Sequence, residues 1–181
     1  YLRKIAGSFE DRDSTMTFFL IMDTAGEKGI AALFKDQTLL AEVLLPNTLE
    51  ASKILLPEII ALFEKAKITP KDLAFVATGI GPGSYTGIRI AVMTAKSFAY
   101  SLKIPLVGVV SLESYVPQEN GSFAVLADAR MGGVYAMKGE GDNREPPILI
   151  KLEELPGFLQ DVKIQVDTRK VLPSARAFGK A

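Results

Sequence analysis

The stretch Leu73-Ala74-Phe75-Val76-Ala77-Thr78-Gly79-Ile80-Gly81-Pro82-Gly83-Ser84-Tyr85-Thr86-Gly87-Ile88-Arg89 decides how this chain is read. Leu73 to Thr78 is a short apolar run and reads as a buried strand. Gly79, Gly81, Gly83 and Gly87 follow, and then a helical pattern from about Thr86 to Leu102 that Lys103-Ile104-Pro105 stops. A glycine-rich turn at a helix N-terminus can present backbone N–H groups to an anion. No Lys-Ser or Lys-Thr follows Gly87, so this is not a P-loop. The glycine spacing does not fit a dinucleotide fingerprint either. The simpler reading is a close-packed strand-to-helix turn that needs positive φ angles.

Upstream, Thr17 to Asp23 reads as a buried strand, Ile30 to Lys35 as a second and Thr38 to Leu45 as a third. Their short connections imply an antiparallel meander. A helix follows, with Asn47 or Thr48 as its cap and Glu50 in its first turn. Ile54, Leu55, Leu56, Ile59, Ile60, Leu62 and Phe63 give it an apolar surface wider than one core-facing stripe. Pro57 lies inside this run and predicts a kink or a restart. Thr69-Pro70-Lys71-Asp72 reads as another cap with Pro at the first helical position. Downstream, Leu106 to Val110 is a further strand. Three meander strands, helix, strand, helix, strand is the order of the ribonuclease-H-like fold of the actin, sugar-kinase and Hsp70 superfamily. The expected fold class is therefore α/β, a five-stranded mixed sheet with helices.

The second half is thinner. Phe123 to Ala127 reads as a strand ending at Asp128, Arg130 to Gly133 as a turn, and Val134 to Lys138 as the returning strand. Residues 139–147 read as a loop, Ile148 to Lys151 as a strand, 152–159 as a helical stretch broken at Pro156-Gly157, and 174–180 as a last short helix. This predicts a reduced second α/β lobe. The expected division is an extension at 1–15, native or artificial, an N-terminal lobe at 16–118 and a reduced C-terminal lobe at 119–181.

Composition narrows the chemistry. The 181 residues carry 21 basic and 21 acidic side chains, which argues against holding nucleic acid unaided. The chain has no Cys and no His. Disulfides, thiolate chemistry and a serine-histidine triad are therefore excluded, together with the commonest general base and metal ligand. No stretch reaches the ~20 apolar residues of a membrane span, and residues 1–15 lack a signal core, which points to the cytoplasm. The remaining acidic candidates are Asp23, Glu113 and Asp128. Asp23 and Thr24 end the first strand, where this superfamily places groups near phosphate or metal; with Gly81 and Gly83 they are the candidate cofactor contacts, although a turn-forming role is the simpler reading. Asp128 and Arg130 could pair across a cleft, with Tyr135 adding a hydroxyl.

The helix after the glycine turn carries two stripes. Ile88, Val92, Ala95, Ala99 and Leu102 form one, and Ile90, Thr94, Ser97 and Ser101 the other, with Met93 beside it. Together with the wide apolar face at 54–63, they predict helix-on-helix packing outside the sheet.

These residues resemble the bacterial TsaB (YeaZ) family. The likeness lies in Ile21-Met22-Asp23-Thr24, Leu55-Leu56-Pro57, the Gly81 to Arg89 motif, Ile104-Pro105, Ser111-Leu112-Glu113, and Asp128-Ala129-Arg130-Met131-Gly132 with Val134-Tyr135. A weaker likeness is Pro173-Ser174-Ala175-Arg176. Ala51-Ser52 replaces the family's usual His-Ser, and Gly133 its usual acidic residue. The resemblance implies a non-catalytic paralogue of TsaD, the subunit that places threonylcarbamoyl on adenosine beside the tRNA anticodon. Ser111 and Tyr115 then stand where TsaD carries its two metal-binding histidines. It further implies a homodimer when alone, a heterodimer with TsaD and assembly with the ATPase TsaE. No cofactor of its own is implied, adenine nucleotide belonging to the assembled complex, and tRNA is met through that complex. The expected partner contacts are Ile54, Leu55, Ile59, Gly87, Arg89, Val92, Met93 and Ser97, with no catalytic and no metal residues. The rival expectation is a glycoprotease-like metallopeptidase or an ATP-binding enzyme of the same superfamily, using Asp23 and Asp128 or the glycine turn.

Overall fold

A computed structural model describes residues 16–46, 48–130 and 132–181. The expected extension at 1–15 and a cap at Asn47 lie outside these residues. The first sheet contains β1 (Phe18–Asp23), β2 (Gly29–Lys35), β3 (Thr38–Leu45), β4 (Leu73–Gly79) and β5 (Leu106–Val109) in the order β3-β2-β1-β4-β5. The meander pairs antiparallel, while β4 runs parallel to both β1 and β5. This is the expected ribonuclease-H-like order.

Alternation along these strands sends side chains to two covered faces. On one face Leu20, Met22, Ala31, Leu33 and Val76 lie under two helices, α1 (Thr48–Ala66) and α2 (Tyr85–Leu102). On the other, Phe34, Phe19 and Phe75 stack across three adjacent strands, with ring centroids 5.0 and 4.7 Å apart. Phe178 and Ala175, from the short helix α4 (Ala175–Phe178), close that face. The C-terminal segment is thus part of the first sheet's core.

Pro57 does not break α1, which runs uninterrupted for 19 residues. The carbonyl that loses its donor belongs to Lys53, and both residues are exposed, so water can serve it. Thr69 does cap a turn: its N–H and hydroxyl donate to Asp72 at 2.7 and 2.8 Å. Only a three-residue 3-10 turn follows.

The second sheet holds β6 (Ser122–Asp128), β7 (Gly133–Glu140), β8 (Asn143–Arg144), β9 (Ile148–Lys151) and β10 (Ile164–Asp167). Its order is β10-β6-β7-β8, with β9 also on β7. β6 pairs antiparallel with β7 and parallel with β10, as β1 does with β2 and β4. The expected loop at 139–147 is instead a hairpin, because Gly141 takes φ 57° and lets the chain reverse after Glu140. β10 escapes the sequence reading because it is short and leaves Gln165 exposed between Ile164 and Val166. Pro156 opens the small helix α3 (Leu155–Phe158) rather than breaking one.

Candidate functional site

β1, β4 and β5 end side by side, and their C-terminal ends build one compact polar cluster. Asp23 closes β1 and is buried. Gly79 faces it from β4; a Cβ there would overlap the Asp23 carboxylate. The Ala25 N–H donates to Asp23 Oδ1 at 2.8 Å, and the Ser111 hydroxyl and the Thr24 backbone also donate to this carboxylate. Burial pushes the Asp23 carboxyl up to about 6, against the lowering effect of these donors.

Ser111 opens a 3-10 turn, Ser111–Tyr115, whose five residues are all buried. Its Oγ accepts from the Gly81 N–H at 3.0 Å, and its own N–H donates to the Gly81 carbonyl at 2.8 Å. The Ser84 N–H donates to the Ala25 carbonyl at 2.7 Å, and the Thr24 hydroxyl to the Gly87 carbonyl at 2.6 Å. Gly83 lies against that same Ala25 carbonyl, with φ 154° and no room for a Cβ. Asp23, Thr24, Gly81 and Gly83 thus lie together at the strand ends: Asp23 and Gly81 bond to Ser111, Thr24 bonds to Gly87, and Gly83 packs against the Ala25 carbonyl.

The same 3-10 turn joins the two sheets. Leu112 packs among Phe123, Val125 and Met137 of the second sheet. The Ser114 carbonyl accepts from the Ser174 N–H at 2.7 Å, just ahead of α4. Tyr115 packs its hydroxyl against Gly26; burial pushes the phenol pKa up, and the negative charges of Asp23 and Glu27 push it the same way. Glu113 accepts from Arg144 Nε of β8 at 3.1 Å. Burial pushes the Glu113 carboxyl up, and the guanidinium opposes it. Sequence reasoning missed Arg144 because no local pattern announces a partner 31 residues away.

Asp128 and Arg130 have hydrogen-bond partners of their own. Asp128 accepts from the Arg130 backbone N–H at 2.7 Å and stands 3.9 Å from Arg169, which is held more tightly by Asp167 at 2.8 Å. Tyr135 is half-buried on β7, opposite Ala127. The expected pairing of Asp128 with Arg130 is thus a backbone turn. Among the described residues, no group of three or more Asp or Glu side chains could hold a metal ion.

The helices correct the expected contact surface. Leu55 and Ile59 are 1% and 0% exposed, because this side of α1 lies on the sheet. Gly87 is buried with Ala91, Ala95 and Ala99 where α2 meets the sheet. These three expected contacts belong to the core. Of the two expected stripes, only Ala95 and Ala99 are buried on the sheet; Ile88, Val92, Leu102, Ile90 and Thr94 are half-buried, and Ser97 and Ser101 are exposed. Ile54 is half-buried too, while Arg89, Met93 and Ser97 are exposed. The outer crests carry Leu56, Ile60, Tyr85 and Tyr100, which the sequence reading did not single out as contacts. The two helices lie side by side, with Phe63 and Phe98 6.3 Å apart between centroids. Among the described residues, no helix is long and apolar enough to cross a membrane.

This architecture has known counterparts. The model of the family TsaD, tRNA N6-adenosine threonylcarbamoyltransferase, matches residues 46–153. The tRNA threonylcarbamoyladenosine biosynthesis protein TsaB of Bacillus subtilis is 35% identical over 119 residues, 64% of this chain and 52% of that protein. TsaB of Escherichia coli is 36% identical over 122 residues, with the same two shares of 64% and 52%. The chain thus spans about half the length of these curated relatives. The solved structure of YeaZ from Pseudomonas aeruginosa superposes with a TM-score of 0.76 at 21% identity, over 90% of this chain and 89% of that one, which establishes the shared fold. With the family match covering more than half of its residues and TsaB proteins among its relatives, the chain belongs to the TsaD family, on its TsaB (YeaZ) side.

Proposed function

We propose that this protein is a non-catalytic scaffold subunit in the biosynthesis of tRNA threonylcarbamoyladenosine. It binds TsaD, and TsaE with it, through the crests of α1 and α2, and so supports threonylcarbamoyl transfer to adenosine beside the anticodon. Alone, it pairs with a second copy. It works in the cytoplasm and meets tRNA through the complex.

The observation that carries this reading is the bonding at the strand ends. A catalytic cleft keeps donors and carboxylates free for a substrate or a metal. Here the Asp23 carboxylate, the Ser111 hydroxyl and the Gly81 amide satisfy one another, and the Ala25 carbonyl takes the Ser84 amide. Ser111 and Tyr115, at the positions where the resemblance puts metal ligands, are buried and turned to internal partners. The apolar side chains on the crests of α1 and α2 support a docking role.

The test is reconstitution of threonylcarbamoyl transfer with TsaD and TsaE, with and without this chain. Modification should depend on its presence. Turnover that is unchanged on omission, or a catalytic turnover by this chain alone, would sink the proposal.

A further inference from the structure

The crest of α2 has a charge pattern that α1 lacks. Tyr85, Arg89, Met93, Lys96 and Tyr100 follow one another at three- and four-residue steps, so they stack along one side of the helix, and Lys103 caps its C-terminal end. All six are exposed, with Tyr85 at 73%, Met93 at 59% and Tyr100 at 89%. The Arg89 guanidinium lies 5.4 Å from the Tyr85 ring centroid. No acidic residue occurs between Asp72 and Glu113, a segment that contains the whole of α2. Among the described residues no ion pair involves Arg89, Lys96 or Lys103. The crest of α1 is different: Lys53 and Glu64 balance each other around Leu56 and Ile60.

Resting on the scaffold reading above, we infer that the crest of α2 receives an acidic protein surface rather than a second copy of itself. An isologous pair brings a patch against its own image, so α2 on α2 would face Arg89, Lys96 and Lys103 with the same cations. An acidic partner meets them with opposite charge, and Tyr85, Met93 and Tyr100 supply the contact area between them. Apolar Met93 and the neighbouring Leu56 and Ile60 favour a protein over a phosphate backbone, as does a chain of zero net charge. Self-pairing is left to the balanced crest of α1.

The test compares wild type with the triple variant Arg89→Gln, Lys96→Gln, Lys103→Gln, whose exposed sites leave the fold intact by circular dichroism. Binding to TsaD is measured at low and at high salt, and self-association by analytical ultracentrifugation. The inference expects wild-type affinity to fall with salt, the variant to lose roughly tenfold at low salt, and its self-association to hold or tighten. Binding that ignores both salt and the substitutions overturns the inference and leaves the scaffold reading standing. If TsaD does not bind at all, the scaffold reading fails, and self-association alone decides the inference: weakening in the variant overturns it, tightening supports it. A tRNA anticodon stem-loop that binds wild type and not the variant, with TsaD affinity unchanged, also overturns it.

Discussion

Gly81 and Ser111, thirty residues apart in sequence, hold each other twice: the Gly81 N–H donates to Ser111 Oγ at 3.0 Å, and the Ser111 N–H donates to the Gly81 carbonyl at 2.8 Å. The glycine turn is thereby fastened to the segment that joins the two sheets. The Ser111 hydroxyl passes its own proton toward Asp23, so one side chain ties together the ends of β1, β4 and β5.

Ser111→Ala should therefore destabilise the fold out of proportion to its size. It leaves the buried Gly81 N–H without its acceptor and removes a donor from Asp23, at about 1–3 kcal/mol for a buried group left unpaired. Urea unfolding against wild type measures this. A loss within experimental error would mean that water or a shift of the turn replaces the hydroxyl.

Asp23 makes stability depend on pH with a definite sign. Its folded value of about 6 lies above the ordinary 3.8, so the folded state holds the proton more tightly than the unfolded chain does. The contribution is fully present below about pH 4, falls as pH rises through 6, and is then absent. At about 1.4 kcal/mol per unit, the drop is on the order of 3 kcal/mol. Glu113 adds the same sign, whereas Asp72 and Asp167, lowered by hydrogen bonds from Thr69 and Arg169, add the opposite. The difference between wild type and Asp23→Asn isolates the one group. Wild type should lose stability relative to the variant between pH 4 and pH 7.

On α1, neighbouring residues should behave oppositely. Ile59→Ala empties a fully buried site and should cost about 2–5 kcal/mol. Ile60→Asp, at a half-exposed site, should change stability by no more than about 0.5 kcal/mol while weakening association with TsaD or a second copy. Thermal melts and a binding titration on both variants check this. Ile60→Asp that melts like Ile59→Ala would place the crest in the core.

Arg144→Ala should destabilise more at pH 8 than at pH 5. Without the guanidinium, Glu113 is a buried carboxylate with its chief counter-charge gone, and its folded value rises further. Stability is then lost as pH rises through that value. Adding Glu113→Gln should recover part of the loss at pH 8. Denaturant midpoints at the two pH values are the readout.

Much of this was legible in the residues. Leu73 to Thr78 followed by the glycine turn and a helix is a local pattern, and it sits in the structure as β4, turn and α2. The meander and the gathering of Asp23, Thr24, Gly81 and Gly83 could also be read, because strands and turns are set by neighbouring residues. The hairpin at Gly141 and strand β10 could not, since short strands are fixed by the sheet they join rather than by their own pattern.

The sequence by itself determined the order of elements in the first sheet, its ribonuclease-H-like topology and the TsaB likeness. Tertiary structure alone decided which side of α1 is core. Ile54, Leu55, Leu56, Ile59 and Ile60 are all apolar, and no periodicity separates Leu55 and Ile59 from Leu56 and Ile60; only the sheet beneath them does. It likewise decided what the glycine turn serves. Backbone amides are present in every sequence, and whether they await an anion depends on what packs against them. Here Ser111 and Ala25, brought in from two other strand ends, take the Gly81 and Ser84 amides first.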